Sequence, residues 1–214
     1  MLGAARELER EIPSHQNPVV VAGQTGMLPV LAPGTFLGQA SERYATVQGR
    51  VCVGMSFSPV IQTRMGREIM IDVLPEEPAH VQEKYHRRYC REFPENTLRR
   101  GPTCAYNCFA LAFACRRGWV AAESVDTILE DDGYRPLALG EEALPGDVVI
   151  YRDGDTDEFE HVGVILEMRS LSPGSKPFPY VVSKWGYGPE YLHMAARSPY
   201  GTDFTVYTER PRGQ

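Results

Sequence analysis

The chain has 214 residues, 43% of them hydrophobic and 23% charged, enough for one large domain or for a domain with a sizeable extension. Its formal net charge of -6 argues against a protein built mainly to bind nucleic acid or an anionic membrane. No run approaches the ~18 apolar residues of a membrane span, so membrane insertion is not expected.

Residues 1–16, MLGAARELEREIPSHQ, read as a short polar, partly helical arm. They lack the basic start and apolar run of a Sec-type leader. The expected location is the cytoplasm, or outside the cell through a signal-peptide-independent secretion system. Strands are predicted at 19–22 (VVVA), 50–57 (RVCVGMSF) and 68–74 (EIMIDVL), with turns at Pro33-Gly34 and Arg64-Met65-Gly66. Residues 76–92 read as a helix, with Glu76, Glu77 and Pro78 at its start and basic residues toward its end. FPENTLRRGPT (93–103) reads as a linker with two prolines. The basic pairs Arg87-Arg88 and Arg99-Arg100 are flanked by acids and read as solvated surface.

The second half changes rhythm. Helices are predicted at 107–117, stopped by Gly118, and at 121–131. Strands follow at 144–153, where LPGD turns into VVIYRD, at 160–169 (EHVGVILEMR) and at 180–186 (YVVSKWG). Helix, helix, strand, strand, strand is the order of an α+β fold, with an antiparallel sheet packed against the leading helix. The boundary is placed at residue 95. Residues 1–95 form a β-rich N-terminal extension with one helix and no readable role, and 96–214 form the main domain.

The chemistry concentrates in TCAYNCFALAFACRRG (103–118), which holds three of the five cysteines. Five is odd and the spacing irregular, so reduced thiols are expected rather than a disulfide framework. Asn107 is a preferred N-cap residue, which puts Cys108 at the first helical position. The exposed N–H groups and positive dipole end there stabilise a thiolate. Cys104 is a rival, because a helix starting at Thr103 after Pro102 would put Cys104 first. Cys115 falls at the basic end of the helix, where a thiolate gains nothing. A small buried hydrophobe is the other reading of Cys108. A nucleophilic thiol needs an imidazole in reach. Of His15, His80, His86, His161 and His193, His161 is placed for it, since it opens the strand HVGVILEM at the rim of a sheet.

The joint pattern is Asn-Cys at a helix start, then Pro-Gly-Asp before a strand, then His-Val-Gly opening the next, then VVSKWG. It resembles the NlpC-type and CHAP-type branches of the papain-like cysteine peptidases over residues 104–186. The separation of 161 minus 108, or 53 residues, fits that family. The resemblance implies a papain-like core in which Cys108 is the nucleophile, His161 the base and a polar residue on the third strand the orienter. Ser183 fills that last place, because a hydroxyl can accept the imidazole N–H and the ammonium of Lys184 cannot. Asn107, Lys184 and Trp185 would line the substrate. It further implies a cysteine peptidase or amidase that forms a thioester, with the Cys108 N–H stabilising the oxyanion. Its substrate would be a peptidoglycan stem peptide or a protein. Relatives include toxins injected into other cells, which adds an immunity or adaptor protein to the candidate partners. The sequence departs from the family in reading NCFA where DCSG is usual, and Ser183 where His, Asn or Gln is usual. A catalytically inactive papain-like binding module is therefore the alternative.

No cofactor is implied, and no metal. DGDTDEFE (153–160) begins like a calcium loop, but Glu158 and Val164 stand where Gly and Glu are required, so it reads as a hairpin turn. His86 and Cys90 lie one helical turn apart, half of a zinc site, without a second pair of matching spacing.

Overall fold

The computed structural model describes residues 40–47, 50–57, 59–170 and 172–211, those before residue 58 by their backbone alone. The arm at 1–16 and the strand expected at 19–22 lie outside the described residues. The chain is α+β with antiparallel sheets and few helices.

β1 (Ala40–Val47) and β2 (Arg50–Phe57) pair antiparallel, with Ala40 opposite Phe57 and Val47 opposite Arg50. β2 occupies the stretch read as a strand. β3 (Val60–Gln62), β4 (Glu68–Asp72) and β6 (Trp119–Val120) make a small sheet in the order β3-β4-β6. β4 buries Ile69 and Ile71 and exposes Glu68, Met70 and Asp72, a period-2 alternation with one face inward. Gly118 makes the β4–β6 pairing possible. It has a φ of +90°, and a Cβ there would stand 2.4 Å from Ile71 Cγ2 and 2.7 Å from the Asp72 carbonyl oxygen.

α1 (Ala79–Glu92) follows Pro78, whose fixed φ suits a helix entrance. Beyond it, the expected linker contains β5 (Thr97–Arg100), which pairs with the later strand β11 (Glu190–Met194). All four β5 residues are exposed. The stretch therefore carries no apolar alternation, and its pairing is imposed by its partner. α2 (Cys108–Phe113) is shorter than the helix expected at 107–117. Cys115 and Arg116 take left-handed φ values of 49° and 65°. The Arg116 N–H then bonds back to the Ala110 carbonyl at 2.8 Å and closes the helix before its basic end is reached. A 3-10 turn, Ala122–Ser124, leads into α3 (Val125–Asp131) within the expected helix.

The main sheet has seven antiparallel strands in the order β5-β11-β10-β9-β8-β12-β7. Its centre is β8 (Val148–Arg152), β9 (Phe159–Arg169) and β10 (Phe178–Lys184), the three strands expected. β7 (Arg135–Pro136), β11 and β12 (Thr205–Thr208) flank them.

Each face of this sheet has its own core. Val148, Ile150, Val162 and Val182 pack with Cys108, Phe109, Ala110 and Leu111 of α2 and with Val125, Ile128 and Leu129 of α3. On the other face Val149, Tyr151, Ile165, Val181 and Tyr191 pack with Trp185 and with Tyr85 and Tyr89 of α1. Trp185 meets Tyr89 edge-on at 5.0 Å and Phe93 at 5.1 Å, contacts worth about 1 kcal/mol each beyond burial. Contacts thus cross residue 95 in both directions, since α1 covers the main sheet and β4 pairs with β6.

Candidate functional site

Local physics at Cys108 follows the expectation. Asn107 is the N-cap of α2, and its Oδ1 accepts the Ala110 N–H at 2.9 Å. Its Nδ2 donates to the Val120 carbonyl at 2.7 Å, tying the helix start to β6. Cys108 occupies the first helical position, but it is only 7% exposed and belongs to the apolar cluster beneath α2.

The expected Cys108–His161 pair is not formed, because the sheet lies between the two. In the β8–β9 register Ile150 stands opposite Val162, and both face α2. Tyr151 stands opposite His161, so the two share the other face, where Tyr151 belongs to the α1 core. A bulge beside Glu160 shifts the phase, which gives Phe159 to the Cys108 side and His161 to the far side. There the His161 ring lies flat on Tyr200, with centroids 3.7 Å apart and planes 8° apart, and 5.5 Å from Tyr151. It is fully buried, and neither ring nitrogen has a hydrogen-bond partner. Burial, with the charges of His193 and Lys184, holds its pKa well below the usual imidazole range. Such a ring is neutral but a weak base, and the sheet keeps it out of reach of Cys108.

Ser183 does share a face with His161, but it does not orient that ring. Its Oγ lies 2.7 Å from His193 Nε2 and accepts the Trp185 indole N–H at 2.9 Å. His193 Nδ1 lies 2.9 Å from the Met194 carbonyl, which makes Nδ1 the donor and leaves Nε2 to accept the Ser183 hydroxyl. Hydroxyl, imidazole and carbonyl follow one another as in a nucleophile–base pair. However, Ser183 and His193 are at most 1% exposed. His193 was not singled out in the sequence, where nothing distinguished it from a polar residue of an unread strand.

The three expected substrate contacts are structural as well. The Lys184 ammonium is sealed and donates to the Gly186 carbonyl and, at 2.6 Å, to the Gly188 carbonyl, closing the turn between β10 and β11. Trp185 is fully buried, and both polar groups of Asn107 are spent on backbone. Alternation across β10 does separate Ser183 from Lys184, and Lys184 lies on the Cys108 side. Burial lowers its pKa to about 8, against the opposing charges of Cys104, Cys108, Glu190 and Glu76. Near it Glu190 accepts from Tyr106 Oη at 2.5 Å, Arg116 Nε at 2.6 Å and Arg99 Nη1 at 3.1 Å. Cys104 is also buried, and that burial pushes its thiol pKa up, opposite to what a nucleophile needs.

The four cysteines with described side chains are thiols. Among the described residues no three His, Cys, Asp or Glu side chains gather as a metal site. Asp153 Oδ1 accepts the N–H groups of Asp155 and Thr156, which is the hairpin turn expected at 153–160. No helix among the described residues is long and apolar enough to cross a membrane. No protein-family model, no curated protein and no solved structure matches the chain.

Proposed function

We propose that the chain is a binding module, the alternative its sequence left open, built on an α+β scaffold related to the papain-like core. The observation that carries the proposal is the seven-stranded sheet standing between Cys108 and His161. General-base activation needs donor and acceptor within about 3 Å or one water apart. Here an apolar layer intervenes, and all the residues expected to carry catalysis are buried. A peptide or protein partner, an immunity or adaptor protein included, fits the surface better than a small substrate. The small sheet presents Met70, with Met65 and Val73 beside it, and these are 50–75% exposed. Flexible apolar side chains of this kind adapt to partner surfaces. The test is alkylation of the folded chain by iodoacetamide with mass mapping of each cysteine. Cys108 is expected to react only as the protein unfolds. Rapid labelling of Cys108 in the folded state, or hydrolysis of peptide or peptidoglycan that disappears in Cys108→Ala, would overturn the proposal.

A second reading rests on Lys184. A capped helix start and a nearby buried ammonium both favour a thiolate at Cys108. A thiol hydrolase acting on an amide of peptidoglycan or protein, such as a bacterial effector or toxin, would then work without His161. In that case Cys108→Ala abolishes turnover and His161→Phe leaves it intact.

A further inference from the structure

Cys90, near the C-terminal end of α1, is an exposed thiol in contact with an imidazole. Its Sγ lies 3.6 Å from His86 Nδ1 and 3.8 Å from Nε2, one helical turn back, and 3.7 Å from the Tyr191 hydroxyl of β11. Tyr191 Oη lies 3.4 Å from His86 Nδ1, so thiol, imidazole and phenol touch one another. Cys90 is exposed, whereas Tyr191 is 1% exposed and packed edge-on to Tyr89. A fixed phenol and a base therefore converge on a thiol that solvent reaches. Burial and the neighbouring sulfur raise the Tyr191 pKa, which keeps its hydroxyl a donor toward that sulfur.

We propose that Cys90 is a modification site that forms mixed disulfides with low-molecular-weight disulfides. His86 takes the thiol proton, and the Tyr191 hydroxyl donates to the resulting sulfur anion. That anion attacks one sulfur of the incoming disulfide. The new S–S bond forms as the old one breaks, the leaving thiolate takes the electron pair, and His86 returns the proton to it. The disulfide is the only oxidant, and it is reduced to one thiol as Cys90 is oxidised. The negative end of the α1 dipole opposes an anion at this position. The Tyr191 hydroxyl and the protonated His86 ring, both against the sulfur, oppose that effect, which solvent screens at this exposed position. Modification costs the fold little, because His86 Nδ1 already stands beside the Tyr191 hydroxyl and can accept it once the sulfur is capped.

The other exposed thiol among the described residues, Cys115, has no imidazole or phenol against it and serves as the internal control. The experiment treats the folded full chain with dithiobis-nitrobenzoate at pH 7, follows thiol release, and maps the labelled peptides by mass. Cys90 is expected to react roughly tenfold faster than Cys115. His86→Gln and Tyr191→Phe are each expected to slow Cys90 about threefold or more and to leave Cys115 unchanged. Near-ultraviolet circular dichroism checks that both variants keep the native packing. Equal rates at Cys90 and Cys115, or an unchanged Cys90 rate in well-folded His86→Gln, would overturn the proposal.

Discussion

His161→Phe separates a catalytic imidazole from a trapped neutral one. Both ring nitrogens of His161 are buried without a hydrogen-bond partner, and such a group costs about 1–3 kcal/mol. A phenyl ring removes that cost and keeps the flat contact with Tyr200. Its extra volume recovers less than the full gain, because overpacking costs about 1–3 kcal/mol in turn. At pH 7 the variant is therefore expected to be at least as stable as the wild type, within about 1 kcal/mol. Acid makes the difference larger. The pKa values of His161 and His193 are both shifted down, the latter to about 4 from 6.5. Between folded and unfolded values the unfolded chain binds more protons, so stability rises with pH and is lost as pH falls below about 6.5. For His193 alone the shift of 6.5 minus about 4 corresponds to about 3 kcal/mol. The wild type should lose more than this on going from pH 7 to 4, and His161→Phe should lose measurably less. Guanidinium unfolding followed by tryptophan fluorescence reads both, since Trp185 lies buried 5.3 Å from His193. A variant that loses more than about 1 kcal/mol at pH 7 and the same amount as the wild type in acid would refute the reasoning. It would mean that His161 is held by hydrogen bonds in the native protein.

Three further outcomes follow from the same contacts. Asn107→Ala removes the helix cap and leaves the Val120 carbonyl and Ala110 N–H buried without partners, so denaturant unfolding should show a loss of about 2–4 kcal/mol. Cys115→Gly relieves a left-handed φ of 49° at an exposed position, and the melting temperature should rise by a few degrees, for about 0.5–1 kcal/mol. Lys184→Met removes an ammonium whose pKa burial lowers from 10.5 to about 8. Between those values the unfolded chain holds the extra proton, so the wild type should gain about 2–3 kcal/mol relative to the variant between pH 8 and pH 10. A difference between the two proteins that does not change over that range would contradict the buried charge.

The elements legible in the sequence are those with a local signal. β4 alternates, β8 to β10 are β-branched runs between turns, and α2 begins at an Asn cap. β5 carried no such signal, because four exposed residues form a strand only through the carbonyls and N–H groups of β11. The early end of α2 was hidden for a related reason. Its left-handed residues are Cys115 and Arg116, where a sequence reading looks for glycine, and Arg116 is anchored by the distant Glu190.

The Cys108–His161 pair was lost at one step, the side of the sheet on which His161 lies. Alternation assigns faces only when one face is polar. Here helices cover both faces, so β8 is buried from Val148 to Tyr151, and β9 keeps apolar residues on both sides through Ile165. With no polar phase to read, His161 could have been placed on either side. The bulge beside Glu160 then reset the count between Phe159 and His161. The aromatic residues were the usable signal. Tyr151 sits opposite His161, and Trp185 follows Ser183 by two positions on the same side of the sheet, so large rings mark the face that α1 covers. The small residues Ala110 and Ala114 mark the side where α2 comes close. An imidazole in register with Tyr151 belongs with the rings, and the thiol that opens a helix of alanines belongs on the other side.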